Sequence, residues 1–369
     1  MLNSFLRTGI TGRAVRSELL NVRVVNLHDF GMGNYKQIDD YVFGSGGMLL
    51  AAPQLKDALN SVLKPGGGNF VAYPSPQGIL LNQEAVESLA LQENLIIICG
   101  RYEGIDDRFI SKYVDLEFSI GDCVLTGGEI PAMALIDAVS RLIPGVVGKN
   151  KAVVEDSFYR GMLDNPNYTR PEIWENMNVP EILLTGNQGD ILKWRRSEAV
   201  KRTLLRRPDL ISRASVGDYL TGGIYLSVLK NFLSDDYDFK ELENLCSVFG
   251  ISRPFLIAGD KGLRYELKKT GTNAKIVGSM KKIIDKAGAD TLIIKIYASK
   301  NVNSLQSLEA KRKCLEHSIN GGAILFLFAD DENELDKIPG TSAYLFESPQ
   351  DLSLNNMISI ALDRFLGRR

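Results

Sequence analysis

A glycine-rich stretch, residues 119–131, is the part of this chain best suited to hold a ligand. Its three glycines fall within eight residues and are interleaved with branched apolar side chains: Gly121, Gly127 and Gly128 with Ile120, Val124 and Leu125. Glycine has no Cβ, so its backbone can pass very close to a flat group. The pattern predicts either a ligand-binding loop or a tight turn before the helix that Ala132 begins. The glycines alone favour the turn.

A second loop of chemical interest, residues 100–106, follows the apolar run Leu95–Cys99. That run is too short for a helix and too apolar to be half exposed, so it predicts a central parallel strand. Arg101 and Glu103 in the loop could form a surface ion pair of little energetic weight. Charged residues just beyond a buried strand edge nevertheless favour a site.

These loops require a sheet that brings them together. A strand at residues 69–73 runs into a third loop, 73–78, and a further strand is predicted at 22–27. Helices are predicted near residues 9–21, with Thr11 as a candidate cap, and near 53–63, 82–91 and 132–141. Strand, loop and helix in repetition predict an open α/β sheet whose ligand crevice lies at the carboxyl ends of its strands.

The chain loses periodicity after residue 148, which indicates a domain boundary. Residues 149–170 predict a flexible linker or lid, because structureless connections of that length are uncommon inside a compact domain. Helices dominate residues 171–235, chiefly at 190–206 and 208–210, and residues 236–369 predict another α/β domain. Its strands are expected at 254–258, 291–297 and 323–328, and its helices at 278–287, 308–318 and 357–366.

Composition excludes several classes of protein. The 369 residues are 44% hydrophobic and 24% charged, and no apolar run approaches the length of a membrane span. The N-terminus lacks the apolar region of a signal peptide, so we expect a cytoplasmic protein. Four scattered cysteines, without a CxxC pair and with two histidines in the whole chain, argue against a zinc site or a disulfide framework. A nicotinamide-dependent dehydrogenase is disfavoured because no GxGxxG follows the first strand.

Net charge is −2, so the whole chain does not indicate a polyanionic partner. The average hides a local basic cluster in which Glu198 is the one opposing charge. The cluster comprises Lys193, Arg195, Arg196, Lys201, Arg202, Arg206 and Arg207. A partner with phosphates could bind there.

Taken together, the loop motifs resemble those of bacterial tRNA (guanine-N1)-methyltransferases of the SPOUT class, the TrmD family, over about residues 1–215. So many motifs in one order are far more specific than any single glycine signature. The matching stretches are residues 9–15, 75–78, 99–106, 119–131, 140–146, 155–158, 168–171 and 184–187.

The resemblance implies a trefoil-knotted, Rossmann-like α/β domain, then a small helical domain, in a homodimer that methylates tRNA. S-adenosylmethionine would lie bent in the knot loops, and a site completed across the dimer would bring the linker over the partner's cofactor. By matching position, the cofactor contacts would come from Tyr73, Pro76, Gly100, Glu103, Ile120, Gly121, Cys123, Leu125, Gly127, Gly128 and Pro131.

Two residues match the family's catalytic positions. Guanine N1 carries a proton at neutral pH, so methylation needs a base there, and a cation or metal at O6 would stabilise the charge left on that oxygen. Asp156 would be the base and Arg141 the cation. Without the resemblance, Asp156 is better interpreted as a solvated loop residue and Arg141 as a cation favoured by the helix dipole. Family members are similar in needing Mg2+, yet no carboxylate cluster in this sequence predicts its ligands.

The helix at residues 190–206 resembles the family's tRNA-gripping element. Lys193, Arg196 and Arg207 suit phosphate contacts, with Trp194 among them. A charge run is usually a solvated face, and only the resemblance puts RNA contact ahead. Residues 169–171 and Asn187 would help, and the target base would be read in an unpaired loop.

The chain departs from the family pattern in three places. The family ordinarily has a strand before the segment that begins at Met1, and a late start in the gene model would account for its absence. The turn at residues 43–48 replaces a longer glycine run. The last third faintly resembles a degenerate SPOUT-like domain, with Phe328–Glu332 where a glycine loop would be expected, which indicates a noncatalytic RNA-binding or dimer-supporting module. An alternative function is therefore an impaired protein that binds tRNA or S-adenosylmethionine without turnover.

Overall fold

The computed structural model describes residues 1–44, 46–147, 156–158, 161–212, 214, 216–230, 238–251, 254–297, 304–329, 331, 333–344 and 353–367. Residues 149–155, 159 and 160 of the predicted linker at 149–170, Glu155 among them, lie outside these residues. The chain divides into two compact units, Met1–Val154 and Glu155–Arg369.

The first unit is an α/β unit built on a short parallel sheet. Its helices are α1 (Leu2–Phe5), α2 (Gly9–Arg16), α3 (Ala52–Asn60), α4 (Gln83–Ala90), α5 (Asp107–Tyr113) and α6 (Glu129–Ser140), with a 3-10 turn at Leu27–Phe30. Its strands are β1 (Asp39–Tyr41), β2 (Met48–Leu50), β3 (Asn69–Leu80), β4 (Asn94–Ile97) and β5 (Leu116–Ser119).

Strand β3 is the middle of this sheet. It pairs in parallel with β4 on one side and with β5 on the other. Strands β1 and β2 form a separate antiparallel pair. Leu55 and Phe109, on α3 and α5, pack on one face, while Leu135 of α6 packs with Phe118 of β5 in another cluster. The predicted α/β class is therefore confirmed for this unit.

Three local predictions were wrong. The apolar run at residues 95–99 is a strand but not the central one, since β4 pairs with β3 alone among the described residues and is only half buried. Residues 22–26 have no regular secondary structure, and 27–30 form the 3-10 turn. Thr11 does not cap α2. It is buried inside that helix, and its hydroxyl donates to Asp137 Oδ1 of α6 (3.1 Å).

The second unit contains a helical segment and a larger parallel sheet. Its helices are α7 (Gln188–Arg206), α8 (Phe239–Val248), α9 (Lys261–Lys269), α10 (Lys281–Ala287), α11 (Ser304–Ile319), α12 (Asn333–Asp336) and α13 (Leu354–Leu366), with 3-10 turns at Glu181–Leu183, Pro208–Ser212 and Gly217–Tyr219. Its strands are β6 (Ile173–Trp174), β7 (Met177–Asn178), β8 (Ile224–Leu229), β9 (Phe255–Ile257), β10 (Lys275–Val277), β11 (Leu292–Tyr297), β12 (Ile324–Ala329) and β13 (Thr341–Tyr344).

Six of these strands form one parallel sheet in the order β10-β9-β8-β12-β11-β13. Every residue of β12 is buried, which fits the prediction of a buried apolar strand at 323–328. The strands β8, β10 and β13 had no counterpart in the sequence prediction. Strand β8 precedes residue 236, so this sheet begins within the segment that the sequence analysis assigned to the helical domain.

Helix α7 shares a hydrophobic core with the sheet. Val200 of α7 and Ile211 of the following 3-10 turn belong to the same cluster as Cys314 of α11 and Phe326 of β12. The Lys311 ammonium also donates to the Ala214 carbonyl (3.2 Å). Among the residues that the structure describes, none of the helices is both long and apolar enough to cross a membrane.

Candidate cofactor and RNA site

The three loops predicted to form a crevice meet at the carboxyl ends of β3, β4 and β5. The Gly128 amide donates to the Gly100 carbonyl (2.9 Å), and Arg101 pairs with Gly127 as an antiparallel bridge. The loop at 75–78 leaves and rejoins β3 at one sheet position, because Pro74 and Ile79 both face Phe118. The parallel arrangement therefore gathers all three loops at one edge.

The close neighbours of two glycines in these loops are protein. A Cβ on Gly128 would lie 2.9 Å from Cys99 Cα and 2.9 Å from the Gly100 nitrogen. A Cβ on Gly100 would lie 2.9 Å from the Tyr73 ring. These contacts with backbone and a buried ring leave no room for a side chain. The glycines therefore hold the loops against one another, a role that the sequence analysis did not foresee.

Gly121 is different and leaves a cradle. Its φ is +147°, and a Cβ there would meet no atom within 4 Å. The flanking Ile120 and the nearby Leu125 are 36% and 37% exposed, and Cys123 is also exposed. Apolar side chains beside open backbone suit a flat ring such as adenine, so these residues fit the predicted cofactor.

Tyr73 lies below this edge, 6% exposed. Burial raises the pKa of its hydroxyl, and the charge of Glu117 raises it further, while a hydrogen bond with the Ile105 backbone opposes them. The hydroxyl therefore stays protonated at neutral pH. Of the other predicted contacts, Pro76 is exposed, whereas Pro131 is buried in the first turn of α6.

Arg101 and Glu103 do not pair with each other. The Arg101 guanidinium binds Glu129 at the start of α6 (Nε to Oε1, 2.9 Å). Glu103 lies against the β1–β2 turn, where its amide donates to the Met48 carbonyl (3.1 Å) and a Cβ on Gly47 would lie 2.7 Å from its Cγ. The turn at 43–48 and the loop at 100–106 therefore form one surface.

The two predicted catalytic residues belong to different compact units. Arg141 follows the last residue of α6, is half buried, and its amide donates to the Asp137 carbonyl (3.3 Å). Asp156 is exposed and belongs to the second unit. Their roles remain predictions.

The predicted tRNA-binding residues lie on or just after α7. Asn187 caps this helix by accepting from the amides of Gly189 (3.1 Å) and Asp190 (3.4 Å). The Lys193 side chain is 68% exposed, with Asp190 at 3.8 Å. The Trp194 ring packs 6.3 Å from that of Tyr168.

The other two predicted tRNA-binding residues, Arg196 and Arg207, are less available to contact a phosphate. Arg196 is half buried. Arg207 binds both carboxylate oxygens of Asp209 (2.9 and 2.7 Å), and its guanidinium lies 5.9 Å from the centre of the Phe158 ring. Arg207 is thus already held by a carboxylate, which weakens the expectation that it grips a phosphate.

A groove of about 1270 Å3 beside α7 was not predicted as such. It is lined by Pro166, Asn167, Tyr168, Thr169, Arg170, Pro171, Glu172, Val179, Leu183, Leu184, Gln188, Ile191 and Arg195. Residues 169–171 are the part of this surface predicted to help in RNA binding. Tyr168 and Leu184 also lie in the family-like stretches and Arg195 in the basic cluster, whereas the other lining residues come together only through folding.

The described residues contain no group of three or more histidine, cysteine, aspartate or glutamate side chains arranged to hold a metal ion. The described residues therefore offer no donor set for a resident Mg2+, and the expectation of Mg2+ gains no support.

Glycine-rich loops at the carboxyl ends of parallel strands are typical of α/β proteins that bind a ligand at that edge of the sheet. Comparison with known proteins narrows this class. The family described as tRNA (Guanine-1)-methyltransferase TrmD matches residues 1–213. The chain belongs to this family.

Individual relatives agree. The chain is 50% identical over 220 residues to the tRNA (guanine-N(1)-)-methyltransferase of Actinobacillus succinogenes, covering 59% of this chain and 90% of the relative. It is 49% identical over 220 residues to the same enzyme of Pasteurella multocida, with the same coverage. It is also 49% identical over 215 residues to that of Shewanella sediminis, covering 58% and 89%.

Proposed function

We propose that the protein transfers a methyl group from S-adenosylmethionine to N1 of the guanosine on the 3′ side of the tRNA anticodon. One observation carries the proposal: about half of the 220 aligned residues are identical to those of named tRNA (guanine-N(1)-)-methyltransferases, and the alignment covers 90% of each relative. The convergence of three loops at one sheet edge supports it independently.

The cofactor loops have a positioning role. S-adenosylmethionine, when bound, supplies an electrophilic methyl on a sulfonium, which leaves without further activation. Gly100 and Gly128 hold the loops together, and the open backbone at Gly121 with Ile120 and Leu125 would take the adenine. Aligning the methyl with guanine N1 is then most of the catalytic task.

The proposed proton transfer uses Asp156. Its carboxylate accepts the N1 proton as the nitrogen pair forms the new bond to carbon, and the sulfur keeps the electrons of the broken bond. Arg141 stabilises the negative charge that develops on O6. We further propose that the first unit is trefoil-knotted, that the protein acts as a cytoplasmic homodimer, and that Asp156 serves the partner's cofactor site.

The tRNA is proposed to bind along α7. Lys193 offers an exposed cation, and the groove beside Tyr168, Arg170 and Arg195 has room for unpaired nucleotides. Phosphate contacts here would make affinity fall with salt. The same proposal divides the chain after the linker into a helical tRNA-binding segment, 171–235, and an additional domain, 236–369.

The test is incubation with unmodified tRNA and methyl-labelled S-adenosylmethionine, followed by location of the label. Methyl on guanine N1 supports the enzyme, whereas cofactor binding without transfer supports the impaired binding protein instead.

The Asp156→Asn variant tests the base. We expect turnover to fall about 10²- to 10⁴-fold, because no other group is assigned to take the proton. Cofactor affinity should stay within about twofold, since the carboxylate is assigned to the purine. Asp363→Asn, at an exposed carboxylate on α13, is the matched control. Turnover that survives in Asp156→Asn would show that the base lies elsewhere.

A further inference from the structure

Residues 261–286 are far more basic than the rest of the chain. They contain eight lysines and arginines but only two acidic residues, Glu266 and Asp285, for a net charge of +6. The whole chain carries −2, so the remaining residues together carry −8. Such a charge asymmetry is typical of a surface that meets a polyanion.

The fold places this segment around one edge of the second sheet. Strand β10 is the edge strand. Helix α9 packs through Leu263 and Leu267 into the core on one face, and helix α10 packs through Ile283 and Ile284 into the cluster on the other. We call this α9–β10–α10 surface the basic edge. Its exposed cations are Lys261, Lys268, Lys269, Lys275, Lys281, Lys282 and Lys286.

Two of these lysines converge over one ring. The ammonium groups of Lys275 and Lys286 lie 5.7 and 5.2 Å from the centre of Phe255, which is itself buried. An aromatic face attracts each cation, but the two cations repel one another. A phosphate between them would remove that repulsion.

The basic edge also offers an aromatic side chain. Tyr265 is 62% exposed, and the Lys269 ammonium lies 4.4 Å from its ring centre. A cation beside an exposed aromatic ring is the combination that binds a nucleic-acid backbone and stacks an unpaired base.

Simpler explanations account for only part of this surface. An edge-strand lysine such as Lys275 discourages sheet-to-sheet aggregation. That argument does not reach Lys281 and Lys282, which stand in the first turn of α10, where the helix dipole disfavours cations. Within the described part of the chain, Glu266 forms the one ion pair found with these lysines, to Lys269 at 3.1 Å.

We propose that the basic edge is a second phosphate-binding surface for tRNA, separate from α7. The inference rests on the proposed function, because it takes tRNA as the polyanion that the protein meets. It gives the additional domain an RNA-binding role that needs no cofactor loop. An acidic protein is the competing occupant.

The test compares two triple variants of the full chain with the unsubstituted protein. Lys275→Gln, Lys282→Gln and Lys286→Gln together remove three charges from the basic edge. Lys240→Gln, Lys313→Gln and Lys337→Gln remove three charges elsewhere on the same unit and serve as the matched control. Glutamine keeps the first two methylene groups of each lysine and a polar end without the charge, and a thermal unfolding curve verifies that each variant folds. Fluorescence anisotropy then measures the affinity for unmodified tRNA as a function of KCl concentration.

We expect the basic-edge variant to bind tRNA about tenfold more weakly and to lower the slope of log affinity against log salt by about 2 to 3. The control should stay within about twofold, because its charges contact no phosphate. Equal affinities and slopes in the two variants would overturn the inference and leave the proposed function standing, as an edge that binds an acidic protein would predict. An unsubstituted chain that neither binds nor methylates tRNA would overturn both.

Discussion

The two parallel sheets of this protein differ at the carboxyl ends of their strands. In the first unit, glycines at the carboxyl ends of β3, β4 and β5 let three loops close on one another and leave an open cradle at Gly121. In the second unit, the corresponding end of β12 continues from Ala329 into acidic residues, and β12 itself is wholly buried. The same architecture therefore frames the proposed cofactor site in one unit and forms a packed support in the other.

The first sheet and β12 differ in the residues that follow their strands. A loop can approach a flat ligand closely only where no Cβ intervenes, and the loops after β4 and β5 have glycines at such positions. The second sheet keeps large side chains, with Phe326 1% exposed and its ring 5.5 Å from that of Phe365. The predictions below test this contrast.

The largest effect should come from the core of the second sheet. Phe326→Ala should lower the free energy of unfolding by about 3 to 5 kcal/mol, since a buried aromatic ring is replaced by a cavity. Urea unfolding measures the loss. Leu95→Ala in the half-buried β4 is the comparison and should cost clearly less. Equal losses at the two positions would contradict the contrast in packing.

A smaller effect is expected from a glycine of the first sheet. Gly128→Ala should destabilise the first unit by about 1 to 3 kcal/mol and weaken S-adenosylmethionine binding, because the new Cβ would lie 2.9 Å from backbone atoms of the neighbouring loop. Gly259→Ala, just beyond β9 in the second sheet, is the matched control, since a Cβ there would meet nothing within 4 Å. Calorimetric titration with the cofactor and thermal unfolding check both. If Gly128→Ala binds the cofactor normally, the loop junction is not part of the cofactor frame.

The smallest effect concerns thiol reactivity. Burial raises the pKa of Cys99 to about 11 and those of Cys246 and Cys314 to about 12. At pH 8.5 each is therefore almost wholly the unreactive thiol, with a thiolate fraction for Cys99 of roughly 0.3%. As the pH rises toward 11, Cys99 should be the first of these three thiols to ionise and react.

Cys123 is exposed in the proposed cofactor loop, so it should be alkylated first at pH 8.5. S-adenosylmethionine should slow this reaction if the loop binds it. Mass spectrometry of iodoacetamide-treated protein, with and without cofactor, identifies the modified residue. If the cofactor protected Cys246 or Cys314 instead of Cys123, it would bind to the second unit, and the proposed cofactor loop would be wrong.

Much of the first unit could be predicted from local patterns. The helices predicted near 53–63, 82–91 and 132–141 and the strand predicted at 69–73 correspond to α3, α4, α6 and the first part of β3, and the Asn82 side chain caps α4 by accepting from the Ala85 amide. The meeting of the three loops follows from parallel topology. These are features that short stretches of sequence determine by themselves.

Other features depend on partners that sequence order hides. The apolar character of residues 95–99 does not reveal that β3 is the middle strand. Arg101 pairs with Glu129 and not with Glu103, which is closer in sequence, because the fold brings α6 to the loop. The basic edge could not be predicted for the same reason. Its lysines are spread over two helices and a strand, and the net charge of the chain conceals them.

The core shared by α7 and the second sheet makes the additional domain hard to remove. A chain ending near residue 235 would keep β8 but lose both of its neighbours, β9 and β12, and would expose Val200 and Ile211 to water. Any shortened form would therefore have to replace those contacts to keep α7 in place. In this chain the extra third has become a part of the enzyme's framework on which its proposed RNA-binding helix depends.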